Sequence, residues 1–126
     1  MGMPTLLTAN GTGTSAVIWF PDWMQTPFNI GIQCVVAGTA TFNVEHTLDN
    51  IDVTQIGPFS GNANATTAAN ATWVANPGIT LATTTINGNY AFPVRALRIN
   101  ILSASGPGGV GTGSVSAQFI QATFGR

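Results

Sequence analysis

The sequence contains very little charge and no lysine. Only 6% of its residues are charged, against about 25% in an ordinary soluble domain. Three arginines and four acidic residues give a formal net charge of -1. Nucleic-acid binding needs clustered basic side chains that contact phosphates, so we expect no nucleic-acid partner. Because so little charge repulsion opposes contact between copies, we expect the chain to be covered by neighbouring subunits.

Cysteine and long apolar runs are also scarce. Cys34 is the one cysteine, so no disulfide can form within the chain. Its position on an alternating strand predicts a small buried side chain rather than a reactive thiol. The longest strongly apolar run covers residues 16–20, far short of the ~20 residues of a membrane-spanning helix. We therefore expect no membrane partner, and the N-terminus lacks the basic segment of a secretion signal.

Short alternating segments make up most of what is present. No window has a clear 3.6-residue apolar period, which predicts an all-β chain. Residues 28–36 and 40–48 alternate with their even-numbered side chains on one face. The three residues between these segments predict a hairpin that pairs Cys34 with Phe42.

Further strands are predicted at residues 94–102 and 113–124, with weaker candidates at residues 5–9, 15–20 and 79–86. The glycine-rich residues 105–111 are typical of a hairpin tip, and residues 57–71 of a long surface loop. The sandwich core is expected to join two rows of apolar side chains, namely Leu97, Ile99 and Ile101 with Ile30, Ile32 and Val44.

These segments together predict a single domain over residues 1–126. Its architecture is expected to be a β-sandwich or jelly roll of six to eight short antiparallel strands. Within it, residues 1–27 are expected to include an arm and an irregular connection that pack on a neighbour.

No group of side chains in the sequence supports catalysis. Glu45 and His46 occupy successive strand positions, so they face opposite sides of a sheet and cannot share a metal ion. His46 is instead expected to be a hydrogen-bonded histidine at the edge of the core. In the predicted hairpin about 13 Å of strand separates Cys34 from His46, too far for a nucleophile and its base. We therefore expect a protein that is not an enzyme and uses no metal or other cofactor.

Aromatic and charged side chains remain as candidates for an interface. The three tryptophans fit packing in a core or interface, which we favour, or a platform for glycans. Arg98 lies on the polar face of its strand and could meet Asp49 or Asp52 in the same or a neighbouring subunit. The predicted interface residues are Trp19, Trp23, Trp73, Arg98, Asp49 and Asp52.

The order of several segments resembles small virion structural proteins of tailed bacteriophages. These segments are residues 30–49, Trp73, residues 93–100 (PVRALRIN) and residues 118–121 (QFIQ). The resemblance covers about residues 28–124 and is a pattern of residue types. Among such proteins the chain looks most like head decoration or cement proteins, which are compact β-sandwich or jelly-roll subunits, often trimeric.

This resemblance implies a capsid decoration subunit that binds the outside of a phage head and stabilises the shell. It would be made in the host cytoplasm and located on the outer surface of the virion head. Its partners would be the major capsid protein and its own copies, as a homotrimer. The alternative is a small β-rich tail, baseplate or fibre-associated protein, including a glycan-binding recognition module.

Overall fold

The structure is a computed structural model that describes residues 5–15, 18–21, 28–49, 51, 70–105 and 113–121. The described residues form strands and no helix, so the predicted all-β class is confirmed, and none of them lies in a helix able to cross a membrane. The strands are β1 (Thr5–Asn10), β2 (Gly13–Thr14), β3 (Ile30–Ala37), β4 (Thr39–Thr47), β5 (Val74–Ala75), β6 (Ile86–Tyr90), β7 (Ala96–Ser105) and β8 (Ser114–Gln121).

These eight strands form two antiparallel sheets of four strands each. Sheet I has the order β1-β8-β3-β6, and sheet II has the order β2-β7-β4-β5. Side chains from the inward faces of both sheets meet in one buried cluster, as two sheets packed face to face require. The predicted β-sandwich is therefore confirmed.

The predicted core rows are confirmed as well. Leu97, Ile99 and Ile101 are at most 1% exposed and share the buried cluster with Ile30, Ile32 and Val44. Each large aliphatic side chain that is removed from water in this way contributes about 1.5–3 kcal/mol. Burial of the inward-facing side chains of these alternating strands therefore supplies much of the driving force that holds the two sheets together.

The predicted hairpin between β3 and β4 is wrong. β3 pairs with β6 and β8, whereas β4 pairs with β5 and β7, so the chain passes from sheet I to sheet II at Gly38. Gly38 has a φ of 82°, a conformation that glycine adopts without a Cβ clash. Cys34 pairs with Ala117 and Ile86 rather than with Phe42. A hairpin and a crossover bury the same even-numbered side chains, so alternation alone does not separate them.

β7 and β8 also lie in different sheets, so the glycine-rich segment between them does not close a hairpin. Residues 106–112 themselves lie outside the described residues. Gly113, which follows them, is squeezed between two other strands: a Cβ there would lie 2.6 Å from the carbonyl oxygens of both Ser105 and Thr39. Glycine is therefore needed where β8 begins beside the end of β7 and the start of β4.

The weaker strand predictions have mixed outcomes. Residues 5–9 do form a strand, and β1 pairs with β8 along its whole length. At the predicted strand 15–20, the described residues show β2 just before it, a hydrogen bond from the Ser15 N–H to the Ile99 C=O, and a bridge from Trp19 to Leu97. Within residues 79–85 there is an isolated bridge from Ala82 to Phe42 but no continuous strand, and β6 begins at Ile86. Residues 5–15 thus belong to the sandwich itself. Of the predicted surface loop at residues 57–71, residues 57–69 lie outside the described residues.

Candidate functional site

The outward face of sheet I carries no charged side chain among the residues that the structure describes. Three exposed apolar side chains stand on it: Leu6, Val35 and Ile120 are 60%, 47% and 47% exposed. The remaining outward positions are small or neutral and polar: Thr8, Asn10, Gly31, Gln33, Ala37, Asn87, Asn89, Ser114, Ser116 and Gln118. A partner could cover such a face without removing any charge from water.

The centre of this face is shallowly concave. Gly31 has no side chain and lies opposite Ile120 on β8 and Asn89 on β6. The depression at this point is lined by the amides of Gln33, Asn87 and Gln118 and by Ile120. The surface therefore combines apolar area with donors and acceptors that can pair across an interface.

The charged side chains of the described residues lie on or beside the strands of sheet II. Arg98 on β7 stands directly opposite Glu45 on β4, and Arg98 Nε donates a hydrogen bond to Glu45 Oε1 at 2.8 Å. The second carboxylate oxygen accepts from Asn100 Nδ2 at 3.0 Å. The Arg98 guanidinium also lies 4.1 Å from the centroid of the Trp73 ring, a cation–π distance. This arrangement is a structural clamp, because both oxygens of the carboxylate are already bonded.

Two of the predicted interface residues, Arg98 and Trp73, are thus brought together. Within the subunit Arg98 pairs with Glu45 rather than with Asp49, and a contact in a neighbouring subunit stays a prediction. Asp49 Oδ2 accepts from the backbone N–H of Thr72 at 2.6 Å and so holds the segment that leads into Trp73. Glu45 takes the place expected of an aspartate because β4 is hydrogen-bonded directly to β7. Asp52, the other predicted partner, lies outside the described residues.

Trp19 packs on the core. Its ring stacks on Phe119 with centroids 5.2 Å apart and planes 19° apart. Its backbone N–H and C=O bond to Leu97 at 3.0 and 2.9 Å. A half-buried ring held in this way is poorly placed to serve as a sugar platform. Trp23 lies outside the described residues.

His46 is the hydrogen-bonded histidine at the core edge that the sequence predicts. Its Nδ1 lies 2.9 Å from the hydroxyl of Tyr90, and the two rings meet edge to face with centroids 4.9 Å apart. Phe92 packs against both rings in the same manner. Burial lowers the pKa of His46 and raises the pKa of Tyr90, so both groups are neutral near pH 7.

Cys34 is fully buried, as predicted for a small apolar side chain. Burial raises the pKa of its thiol to about 12, so the nucleophilic thiolate is not populated at neutral pH. Cys34 and His46 also stand in different sheets. Over the described ranges, no group of three or more His, Cys, Asp or Glu side chains is placed to hold a metal ion.

Three side chains of these clusters were not foreseen: Glu45, Asn100 and Tyr90. Strand alternation correctly predicts that Glu45 and His46 lie on opposite faces of β4. The partner of Glu45 cannot be predicted in the same way, because it depends on which strand lies beside β4. Asn100 lies on the same face of β7 as Arg98, two residues further along. This alternation would identify it as a neighbour of Glu45 once β4 and β7 are known to pair. Tyr90 lies in a strand that the sequence pattern does not mark.

Comparisons of the chain with protein-family models, with curated proteins and with solved structures find no match.

Proposed function

We propose that the chain is a non-enzymatic structural subunit of a bacteriophage virion, which decorates the outside of the head and stabilises the shell. The observation that carries this proposal is the uncharged outward face of sheet I. It unites exposed Leu6, Val35 and Ile120 with neutral amides and hydroxyls on one continuous four-stranded surface. The phage head is proposed as the particle because the sequence resembles head decoration proteins.

A face of this composition suits permanent contact with other subunits. Burial of apolar area contributes about 25 cal/mol per Å², and the amides can exchange water for hydrogen bonds with a partner. Covering a charge would add a desolvation cost, and the described residues of this face carry none. The proposed partners are the major capsid protein and further copies of the chain, assembled as a homotrimer.

The charges near sheet II support the same proposal, because they are used within the subunit. Glu45 binds Arg98 and Asn100, and Asp49 binds the Thr72 backbone. The Arg95 guanidinium lies 5.9 Å from the centroid of the Phe20 ring. Such contacts stabilise the fold of the subunit. Assembly would then use the neutral outward face of sheet I.

Purified virions imaged at a resolution that traces the chain would test the proposal. We expect many copies on the outer surface of the head. A few copies confined to the tail tip, together with binding to glycans, would contradict it and support the recognition module instead.

A matched pair of variants shows which face is used. Val35 is 47% exposed on the outward face of sheet I, and Leu102 is 44% exposed on β7 of sheet II. Val35→Asp should remove the protein from heads, whereas Leu102→Asp should leave its occupancy unchanged. Equal occupancy of the two variants would show that the outward face of sheet I does not bind the shell.

A further inference from the structure

The two edges of sheet I differ in what occupies them. β6 forms one edge, where the backbone carbonyl of Asn89 accepts a hydrogen bond from Asn76 Nδ2 at 2.9 Å. β1 forms the other edge. It runs for six residues with an unbroken register against β8, and it contains no charge, proline or bulge. Natural sheets protect their edges with those very devices, so among the residues that the structure describes, β1 is the edge of sheet I that stays open to another strand.

The hydrogen-bond pattern shows which backbone groups of β1 point outward. The N–H of Gly11 bonds to the C=O of Gly113 at 2.9 Å, one step beyond the pairing of Asn10 with Ser114. Bonded pairs alternate in an antiparallel ladder, so Ala9 and Leu7 also direct their backbone groups to β8. The N–H and C=O groups of Leu6, Thr8 and Asn10 therefore point away from the sheet.

We propose that this edge pairs with β1 of a second copy, antiparallel and around a two-fold axis at Thr8. Thr8 then lies opposite Thr8 of the second copy, and Leu6 lies opposite Asn10. Every outward N–H in this register meets an outward C=O, because positions 6, 8 and 10 are symmetric about position 8. The strand is thus complementary to itself.

The two faces of the joined sheet are also compatible. Opposite residues of an antiparallel pair point to the same side, so buried Leu7 faces Ala9 of the second copy and continues the inner apolar face. On the other side the uncharged outward face of sheet I simply doubles in width. The contact would therefore join two identical strands, neither of which contains a charged residue.

This contact is independent of the proposed function. It also differs from the homotrimer, because a three-fold axis cannot pair β1 with itself. Failure of one contact therefore leaves the other untouched.

Two variants at Thr8 test the backbone contact in the purified chain. Thr8→Pro removes the outward N–H but no bond to β8, and proline is tolerated at the solvent side of an edge strand. Thr8→Ala is the matched control, because it loses only the side-chain contact to Ser116 Oγ at 3.3 Å. Sedimentation over a concentration series should show that Thr8→Pro weakens two-fold association at least about tenfold, while Thr8→Ala behaves as wild type. Association of a folded Thr8→Pro equal to wild type would overturn the proposal.

Cross-linking tests the register even if Thr8→Pro does not fold. Directly opposite, hydrogen-bonded residues have Cα atoms about 5.5 Å apart, within disulfide range. Thr8→Cys should therefore form a disulfide-linked pair under mild oxidation. Leu6→Cys should not, because the two Leu6 positions lie about 13 Å apart along the strands, but it should link to Asn10→Cys when the two variants are mixed. Linking of Leu6→Cys to itself, or none for Thr8→Cys, would overturn the register; buried Cys34 does not interfere.

Discussion

Arg98 secures the outward face of sheet II, and its loss should destabilise the fold. Arg98→Met removes the hydrogen bond to Glu45, whose carboxylate keeps the bond from Asn100 on β7. Glu45 is 8% exposed, so the charge that remains is poorly solvated. We expect a loss of about 1–3 kcal/mol in the free energy of unfolding, measured by urea denaturation.

The double variant separates the ion pair from the loss of packing on Trp73. Glu45→Gln keeps the shape of the side chain and removes its charge. If the pair is coupled as its geometry indicates, the double variant should lose less stability than the two single losses added together. Strict additivity would mean that the clamp contributes nothing beyond packing.

His46 should make stability depend on pH. The unfolded chain takes up a proton at the ordinary histidine pKa of 6.5, whereas burial lowers the pKa in the folded chain. Between the two values the unfolded chain binds more protons. The free energy of unfolding should therefore fall as the pH drops below about 6.5, by at most ~1.4 kcal/mol per pH unit.

The groups near His46 include the Tyr90 hydroxyl and Asp49, which lines the same surface recess, and Glu45 on the other side of β4. His46→Gln removes the titrating group and keeps a polar side chain. Urea midpoints at pH 7.5 and 5.5 should differ less for this variant than for wild type. An equal difference in both proteins would assign the pH dependence to the carboxylates.

Strand β7 offers a direct comparison of its inward and outward rows. Ile99→Ala should cost about 2–5 kcal/mol, because Ile99 is fully buried between the sheets. Leu102→Ala on the same strand should cost less than about 1 kcal/mol, since Leu102 is 44% exposed. Thermal or urea unfolding measures both, and similar losses would show that β7 does not face the core as described.

Gly113 is the point where a single methyl group should disturb the crossover between sheets. Gly113→Ala places a Cβ 2.6 Å from two backbone carbonyl oxygens, which cannot rotate away. We expect a loss of about 2–3 kcal/mol. Gly31→Ala is the control, because its nearest contact would be 4.0 Å away. A tolerated alanine at position 113 would mean that the ends of β4 and β7 can separate.

The sequence pattern predicts the inward faces of the strands well and the neighbours of each strand poorly. Alternation correctly marks Ile32, Phe42 and Ile99 as buried, because side-chain direction is a local property. Pairing is a long-range property, and from the sequence alone the single residue Gly38 and the glycine-rich residues 106–112 fit a crossover as well as a hairpin. β6 was missed because its sequence, INGNY, has few of the branched and aromatic residues that mark strands.

The candidate site was predictable to the same extent. Parity places Arg98 on a polar face, but its actual partner, Glu45, emerges only when β4 and β7 are known to be neighbours. Predicting the uncharged outward face of sheet I requires still more knowledge of strand pairing, because the sheet combines four strands from the whole length of the chain: β1, β3, β6 and β8. Low charge in the sequence indicates association, and the topology is needed to show that the described residues on the outward face of sheet I carry no charge.

The chain as a whole divides its surface by charge. The described charged residues lie on or beside sheet II, while the outward face of sheet I is neutral. This division predicts that assembly depends on apolar burial and neutral hydrogen bonds. Contacts of that kind are insensitive to salt, whereas attraction between exposed charges is screened as the Debye length falls from ~10 Å at 0.1 M to ~3 Å at 1 M.

The most direct measurement is to mix the purified chain with undecorated phage heads at salt concentrations between 0.1 and 1 M and to count bound copies. We expect binding at every concentration, without nucleotide, metal or nucleic acid, and with nearly constant occupancy. Val35→Asp should fail to bind, and Leu102→Asp should bind as wild type. No binding of the wild-type chain at any salt concentration would contradict the account, as would a steep loss of bound copies at 1 M salt.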